Sequence, residues 1–270
     1  MPEAAAEEDD IIGILSGMGP YAGLDLAQKI HRHTAARTDQ EHLSVALLSY
    51  PGWIPDRSTY LFDHAKPNPT PALAKIARRL EAAGATVVGT PCNTAHCSPI
   101  FDALTERLSD AGSQVRLVHM IEEAARHLRR AHPGIERVGV LSSLAVYRLS
   151  LYRDVLEAAG FDVVRPDEKT QREVVNPVIF DETYGIKAQS DPVTDRARRD
   201  LLDAAAGLKE NGAEAVILGC TEFPLALPER DAHGLPLIDP TRVLARALIR
   251  AGAPDQLAPP IRPQPPLASN

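Results

Sequence analysis

The sequence predicts an α/β protein built from two pseudo-symmetric, duplicated α/β domains with mainly parallel sheets and an active site in the cleft between them. Two observations support this prediction: short apolar runs alternate with amphipathic helical patterns, and the alternation occurs twice along the chain. Near-continuous apolar runs bounded by Gly, Pro or polar residues are typical of parallel strands buried on both faces. The predicted strands are 11–15, 45–49, 86–90, 115–120, 138–141, 161–164, 215–218 and 235–238.

Two of the intervening segments show a clear apolar helical face. One face contains Leu73, Ile76, Ala77 and Leu80, and the other contains Leu201, Leu202, Ala205 and Leu208.

Three segments of the first half recur in the second half, in the same order and at similar spacing. Such agreement is hard to obtain by chance and indicates a duplicated unit. The matched pairs are 11–16 with 137–142, 84–94 with 212–222, and 117–121 with 237–241.

Composition excludes several classes of protein. The net charge of −7 argues against a nucleic-acid or anionic-membrane surface. No apolar run is long enough to cross a bilayer, and the acidic start lacks the basic segment of a signal peptide. The three cysteines cannot all pair, so we expect free thiols in a reducing cytoplasm. The acidic residues 1–10 and the Pro-rich residues 253–270 are predicted to be flexible tails.

The duplication draws attention to two cysteines. Cys92 and Cys220 follow equivalent strands, and ligands of open α/β sheets bind beyond the carboxyl ends of strands. Each cysteine precedes a helix, whose N–H groups and dipole favour a thiolate. Two thiols on opposite faces of one carbon suit inversion of a stereocentre, because one removes the proton and the other delivers one. A lone strand-end cysteine is more often a small buried apolar residue, and Cys97, which has no counterpart in the second half, is interpreted in that way.

Five motifs together resemble the cofactor-independent aspartate/glutamate racemase superfamily, specifically its aspartate racemase branch. The resemblance covers about residues 11–250. The motifs are at 17–20 (Gly-Met-Gly-Pro), 54–57 (Ile-Pro-Asp-Arg), 91–96 (Pro-Cys-Asn-Thr-Ala-His), 184–187 (Tyr-Gly-Ile-Lys) and 218–222 (Leu-Gly-Cys-Thr-Glu).

The resemblance implies a first domain formed by 11–114 plus 224–252 and a second formed by 115–223. It also implies interconversion of the D and L forms of aspartate and/or glutamate without pyridoxal phosphate or a metal, and commonly a homodimer. The glutamate branch typically has aspartate and histidine where this chain has Ser16 and Glu222, which favours the aspartate branch. Some relatives lack the first cysteine and act on one enantiomer, so the presence of both favours a two-way racemase.

The substrate is predicted to be a small acidic amino acid. By resemblance, Arg57 and Lys187 would hold its side-chain carboxylate, and an Arg fork suits such a group. Groups near the thiols could bind the α-carboxylate, where charge develops as the proton leaves. The remaining substrate-binding candidates are Met18, Asn93, Thr94, Ser142, Ser143 and Thr221.

Other interpretations remain open at this point. The chain could catalyse related chemistry, such as cis–trans isomerisation of a dicarboxylate or racemisation of a hydantoin, or it could bind dicarboxylates without turnover. The first-loop glycines are spaced one residue too far apart for the dinucleotide fingerprint. His96 and His119 lack metal-ligand spacing, and we expect His96 to be a local hydrogen-bonding residue. A carboxylate at Glu222 would raise the pKa of a neighbouring thiol, so its benefit is open.

Overall fold

A computed structural model describes residues 11–259, and the predicted tail segments 1–10 and 260–270 lie outside the described residues. All eight predicted strands are present within one or two residues of their predicted ends, and the α/β class is confirmed. The two-residue strand β8 is additional and pairs with its neighbour in a hairpin. The strands are β1 (Ile11–Ser16), β2 (Val45–Ser49), β3 (Ala85–Gly89), β4 (Arg116–Val118), β5 (Arg137–Ser142), β6 (Asp162–Val164), β7 (Ala215–Gly219), β8 (Asp231–Ala232) and β9 (Leu235–Ile238).

The helices separate successive strands along the chain. They are α1 (Pro20–His33), α2 (Arg57–Phe62), α3 (Thr70–Ala82), α4 (Ser98–Asp110), α5 (Met120–Ala131), α6 (Leu144–Arg148), α7 (Leu151–Ala158), α8 (Glu168–Thr170), α9 (Asn176–Phe180), α10 (Asp195–Glu210), α11 (Phe223–Ala226) and α12 (Pro240–Gly252). Both predicted apolar faces are buried: the first belongs to α3 and the second to α10.

The two sheets have the same topology. The first has the order β2-β1-β3-β4 and the second β6-β5-β7-β9-β8, so the first four strands of each correspond one to one. All pairs are parallel except β8 with β9. Gly84 and Gly212, which precede β3 and β7, both have positive φ, at +91° and +88°. The repeat in the sequence is therefore a repeat in the backbone, including its left-handed turns.

The predicted domain boundaries need correction. The predicted change of domain at 115 comes before β4, which pairs with β3 in the first sheet. The predicted return at 224 comes before β8 and β9, and β9 extends the second sheet. The reason is that the chain passes from one sheet to the other at α5 and α12, the helices that follow β4 and β9.

Each of these helices packs against the opposite sheet. The apolar face of α5, with Ile121 and Leu128, joins the core of β5 and β7. The apolar face of α12, with Leu244 and Leu248, joins the core of β1 and α1. Both helices start at an N-cap side chain at matching points of the repeat, His119 for α5 and Asp239 for α12. The two halves thus exchange their last helices.

The predicted C-terminal tail is also partly ordered. Pro254–Gln256 forms a 3₁₀ turn, and Leu257 makes an antiparallel bridge with Thr34. The Ala258 N–H donates to the His33 carbonyl at 2.8 Å. The prediction of a flexible segment is therefore wrong for 253–259, because its backbone groups find partners at the end of α1.

Candidate functional site

The two matched cysteines occupy equivalent strand ends. Cys92 follows β3 and precedes a 3₁₀ turn at Asn93–His96, and Cys220 follows β7 and precedes α11. Their exposed fractions are 5% and 9%, so both thiols are nearly withdrawn from water. Each lies in the core of its own half.

Cys220 begins a chain of polar contacts. Its thiol donates to Glu222 Oε2 at 2.9 Å, and Lys187 Nζ lies 2.6 Å from Glu222 Oε1. Glu222 is buried, whereas the Lys187 side chain is one-third exposed. The Lys187 backbone N–H donates to the Ile179 carbonyl at 3.1 Å, which fixes the segment before α10.

These contacts determine the protonation states of Cys220 and Glu222. Burial, and then the Glu222 carboxylate, raise the pKa of the Cys220 thiol well above its ordinary value. Burial also raises the pKa of Glu222, but the Lys187 ammonium and the Cys220 hydrogen bond outweigh it and lower that pKa overall. Cys220 is therefore a protonated thiol beside a charged carboxylate. The expectation that its position before a helix favours a thiolate is wrong here, since α11 has only four residues and a carboxylate is adjacent.

Lys187 connects the two halves of the site electrostatically. Burial lowers the pKa of its ammonium, but Glu222, Cys220 and Cys92 together raise it above the ordinary value.

Tyr152 lies between the two thiol loops. Its hydroxyl donates to Asn93 Oδ1 at 2.7 Å, and its ring edge is close enough to Gly219 that a Cβ there would meet it at 2.9 Å. Burial, followed by the repulsion that a Cys220 thiolate would exert, raises the pKa of this phenol well above its usual value. Sequence reasoning missed Tyr152, because it lies in the apolar pattern of α7 and carries no motif.

The loop after β1 packs against the side chains of Glu222 and Lys187. Met18 is buried in the same core as Cys92. A Cβ on Gly19 would lie 2.7 Å from Glu222 Oε1 and 3.7 Å from Lys187 Nζ. Gly17 has a φ of +118°, which only glycine adopts readily. The first-loop motif therefore brings a bare backbone up to Glu222.

Arg57 starts α2, which packs against the Asn93–His96 turn. Its Nη1 donates weakly to the Pro55 carbonyl at 3.4 Å, and its buried Nε has no hydrogen-bond partner within the described chain. The same is true of Asn93 Nδ2. Two buried donors without acceptors are what a bound anion would satisfy.

The remaining candidates have local partners. Ser142 Oγ donates to the Ser143 carbonyl at 3.3 Å, and Ser143 Oγ caps α6 by accepting from the Val146 N–H. Thr221 Oγ1 donates to Glu222 Oε2 at 3.3 Å, while Thr94 is half-buried in its turn. The Ser143 hydroxyl is thus occupied in capping.

His96 is buried and locally bonded, with Nε2 3.0 Å from the Thr90 carbonyl in the loop that carries Cys92. Burial lowers its pKa to about 3, so its ring is neutral. Cys97 is buried in the first core beside the start of α4. Within residues 11–259 no group of three or more His, Cys, Asp or Glu side chains is arranged to hold a metal. In the same range, none of the helices has the length and apolar character needed to cross a membrane.

A family model described as Asp/Glu/Hydantoin racemase matches residues 15–248. The chain belongs to the Asp/Glu/hydantoin racemase family. As a member of it, the protein is an isomerase of the racemase type that acts on a small amino acid.

Individual relatives agree with this assignment. The chain is 26% identical over 246 residues to the "Broad specificity amino-acid racemase RacX" of Bacillus subtilis, covering 88% of this chain and 96% of the relative. It is similar in structure to an aspartate racemase of Picrophilus torridus, with a TM-score of 0.73, 28% identity, and coverage of 90% and 94% of the two chains. A glutamate racemase of Francisella tularensis, at 14% identity, has the same fold with a TM-score of 0.63 and coverage of 95% and 86%.

Proposed function

We propose that this racemase interconverts the D and L forms of aspartate and/or glutamate, with Cys92 and Cys220 as the two proton-transfer groups. The observation that carries the proposal is that Tyr152 lies against both thiol loops. Its hydroxyl donates to Asn93, the residue after Cys92, and its ring lies against Gly219, the residue before Cys220. This supports a site in which both thiols face one substrate carbon. The resemblance to an aspartate racemase supports the substrate class.

With one enantiomer as substrate, a Cys92 thiolate removes the α-proton, and the C–H electron pair passes into the α-carboxylate. The Cys220 thiol then delivers its proton to the opposite face, which leaves Cys92 as a thiol and Cys220 as a thiolate. Glu222 favours the protonated form of Cys220, so that thiol is ready to act as the acid. The opposite enantiomer exchanges the two roles.

Residues of this chain supply the charge stabilisation that the α-carbanion needs. Asn93 Nδ2 and Arg57 Nε are buried donors that await an acceptor, and they suit the two carboxylates of an acidic amino acid. The Lys187 ammonium contacts Glu222 and the Phe180 ring, and its side chain is one-third exposed, so it can also bind a substrate carboxylate. No step requires a bound cofactor.

A second substrate range is favoured by a specific contact. Because Glu222 already pairs with Lys187 at 2.6 Å, part of the positive charge expected for an acidic side chain is neutralised. The Bacillus relative is named for broad specificity. Racemisation of neutral or basic amino acids by the same two thiols is therefore the alternative.

The test is proton NMR of the purified enzyme in D2O under reducing conditions, with each enantiomer of aspartate and glutamate and with a panel of neutral and basic amino acids. Loss of the α-proton signal with formation of the opposite enantiomer is expected for aspartate or glutamate. Loss of the α-proton signal only with neutral or basic amino acids would show that these, and not aspartate or glutamate, are the substrates. Absence of exchange with every amino acid, from folded enzyme, would overturn both.

The thiols are tested by three matched substitutions. Cys92→Ala and Cys220→Ala should each lower kcat by at least a thousandfold, because each removes one of the two proton-transfer groups. Cys97→Ala removes a thiol that lies in the same core as Cys92 but has no counterpart in the repeat, and it should retain activity near that of the wild type. Equal activity in all three variants would refute the two-thiol mechanism.

Assembly and location are proposed on the resemblance. We expect a homodimer and a cytoplasmic enzyme, with no nucleic-acid or membrane partner. Light scattering of the purified full-length chain measures the oligomeric state directly, and a monomer at micromolar concentration would contradict the dimer.

A further inference from the structure

A second cavity lies away from both thiols. Its volume is about 920 Å³, within the range of roughly 300–1,000 Å³ that is typical of small-molecule sites. The ends of α1 and α5, the β8–β9 hairpin and one face of α12 enclose it. Neither thiol, nor Glu222 or Lys187, lines it.

The cavity is strongly basic although the chain as a whole is acidic. Arg242, Arg246 and Arg250 recur every four residues on α12, so they lie on one helical face. Like charges at this spacing destabilise an isolated helix. Arg130 and Arg230 approach the same space from α5 and from the segment before β8.

Three of these arginines, Arg130, Arg242 and Arg250, share two carboxylates. Asp239 is one of two acidic residues in the lining, and it already pairs with Lys29 at 2.6 Å and Arg242 at 3.4 Å. At the rim, Glu123 contacts Arg250 of α12 at 3.3 Å and Arg130 of α5 at 3.7 Å. It also pairs with Arg126 of α5.

Arg246 lies in the middle of the arginine face. It donates to the Ala258 carbonyl at 3.0 Å and lies 3.4 Å from His33 Nδ1, and no carboxylate within residues 11–259 forms an ion pair with it. Burial, and then Arg250 and Arg230, lower the pKa of Arg246. Arg246 therefore brings to the cavity a positive charge that no carboxylate of residues 11–259 pairs with.

The same arginines contribute to low pKa values for two histidines that line the cavity. Burial, and then neighbouring charges that include Arg246, lower the pKa of His33 to about 4 and that of His127 to about 4. Both rings are thus neutral at physiological pH and available as hydrogen-bond donors or acceptors. The rest of the lining is partly apolar, with Leu237, Val243 and Leu257 facing the space.

We propose that this cavity binds a small organic molecule that carries a diphosphate. Arginine forks match phosphate oxygens in pairs, and the high charge density of a diphosphate suits a cluster of guanidiniums on one helical face. The apolar lining and the size of the cavity fit an organic body in addition to the phosphates. An adjoining groove of about 380 Å³ shares Arg230 and Arg242 and leads to Pro224 and Leu225, which follow Glu222 closely in the chain.

The test is calorimetric titration of the full-length enzyme with three diphosphates that differ in their organic part: pyrophosphate, ADP and isopentenyl diphosphate. Adenosine serves as the uncharged control. At least one of the two organic diphosphates should bind more tightly than pyrophosphate, and adenosine should not bind. Failure of all three diphosphates to bind would overturn the proposal. Pyrophosphate binding as tightly as both organic diphosphates would refute the role of the apolar lining.

Variants locate the site. Arg246→Gln and Arg250→Gln should each weaken binding by about tenfold or more, the loss expected for a charged hydrogen bond. Arg250 lies at the rim with one ion pair to Glu123, so its substitution tests the site even if Arg246→Gln impairs folding. Arg78→Gln on the exposed face of α3 makes the same change in charge elsewhere and should bind as the wild type does. Equal weakening in all three variants, or in none, would place the binding outside this cavity. Binding is measured without substrate, so the result does not depend on the racemase activity.

Discussion

Replacing Glu222 by glutamine tests the protonation of the site. The substitution keeps the shape of the side chain but removes the negative charge that faces the Cys220 thiol at 2.9 Å. At this separation, in an effective dielectric constant of about 20, two unit charges interact by about 6 kcal/mol. We take about half of this, because the Lys187 ammonium screens the carboxylate and a thiolate can move away from it. The pKa of Cys220 should then fall by about two units, since each unit corresponds to about 1.4 kcal/mol.

The measurement requires Cys220 as the single reactive thiol. The chain has three cysteines, so Glu222→Gln is introduced together with Cys92→Ala and Cys97→Ala. The rate of alkylation by iodoacetamide as a function of pH then reports the fraction of thiolate. Its midpoint should move to lower pH relative to the same background with Glu222 intact.

The control for Glu222→Gln is Glu106→Gln, which removes one negative charge from the exposed face of α4 and should leave the midpoint in place. A midpoint that stays unchanged or rises in Glu222→Gln would refute the assignment of Glu222 as the group that keeps Cys220 protonated. In the active enzyme, the same change should move the pH profile of kcat/KM toward lower pH.

Two further predictions concern stability. The pKa of His127 is about 4 in the folded state against an ordinary value of 6.5, so its contribution is complete above pH 6.5 and is lost as the pH falls toward 4. We allow for solvent screening of this half-buried ring. Urea denaturation should then show that the free energy of unfolding of His127→Gln falls by about 1–2 kcal/mol less than that of the wild type between pH 6.5 and pH 4. An equal fall in both proteins would contradict the assignment. Gly23 and Gly207 both lie within helices, but a Cβ at Gly23 would meet Ser16 Cβ at 2.6 Å, whereas at Gly207 it would meet nothing within 4 Å. Gly23→Ala should therefore lower the free energy of unfolding by about 1–3 kcal/mol and Gly207→Ala should raise it by about 0.5–1 kcal/mol, and effects of the same sign would refute the packing argument.

The central strands β1, β5 and β7 were predictable because they are buried along almost their whole length. A parallel strand covered by helices on both faces is apolar at nearly every position, so its signal is local and survives without knowledge of its neighbours. The repeat added the equivalence of Cys92 and Cys220, because the two strand ends are matched in sequence as well as in the fold. These features need only a few consecutive residues to be recognised.

The polar partners were not predictable in the same way. Lys187 and Glu222 are far apart in sequence, and their ion pair exists because the segment before α10 folds back toward β7. Tyr152 gives the same lesson, since its hydroxyl reaches Asn93 in the other half. A pairing across such separations depends on tertiary packing and leaves no periodic signal in either segment.

The exchange of α5 and α12 bears on the proposal that thiols on separate sheets serve one carbon. His119, which caps α5, lies 3.1 Å from the His96 carbonyl in the loop that carries Cys92, so the helix that enters the second core starts at the first thiol loop. At the matching point of the repeat, Asp239 caps α12 and pairs with Lys29 of α1 in the first half. Each exchanged helix therefore ties the end of one sheet to the other half of the molecule. In the proposed mechanism, this reciprocal packing is what brings one thiol from each copy of the unit to the same substrate.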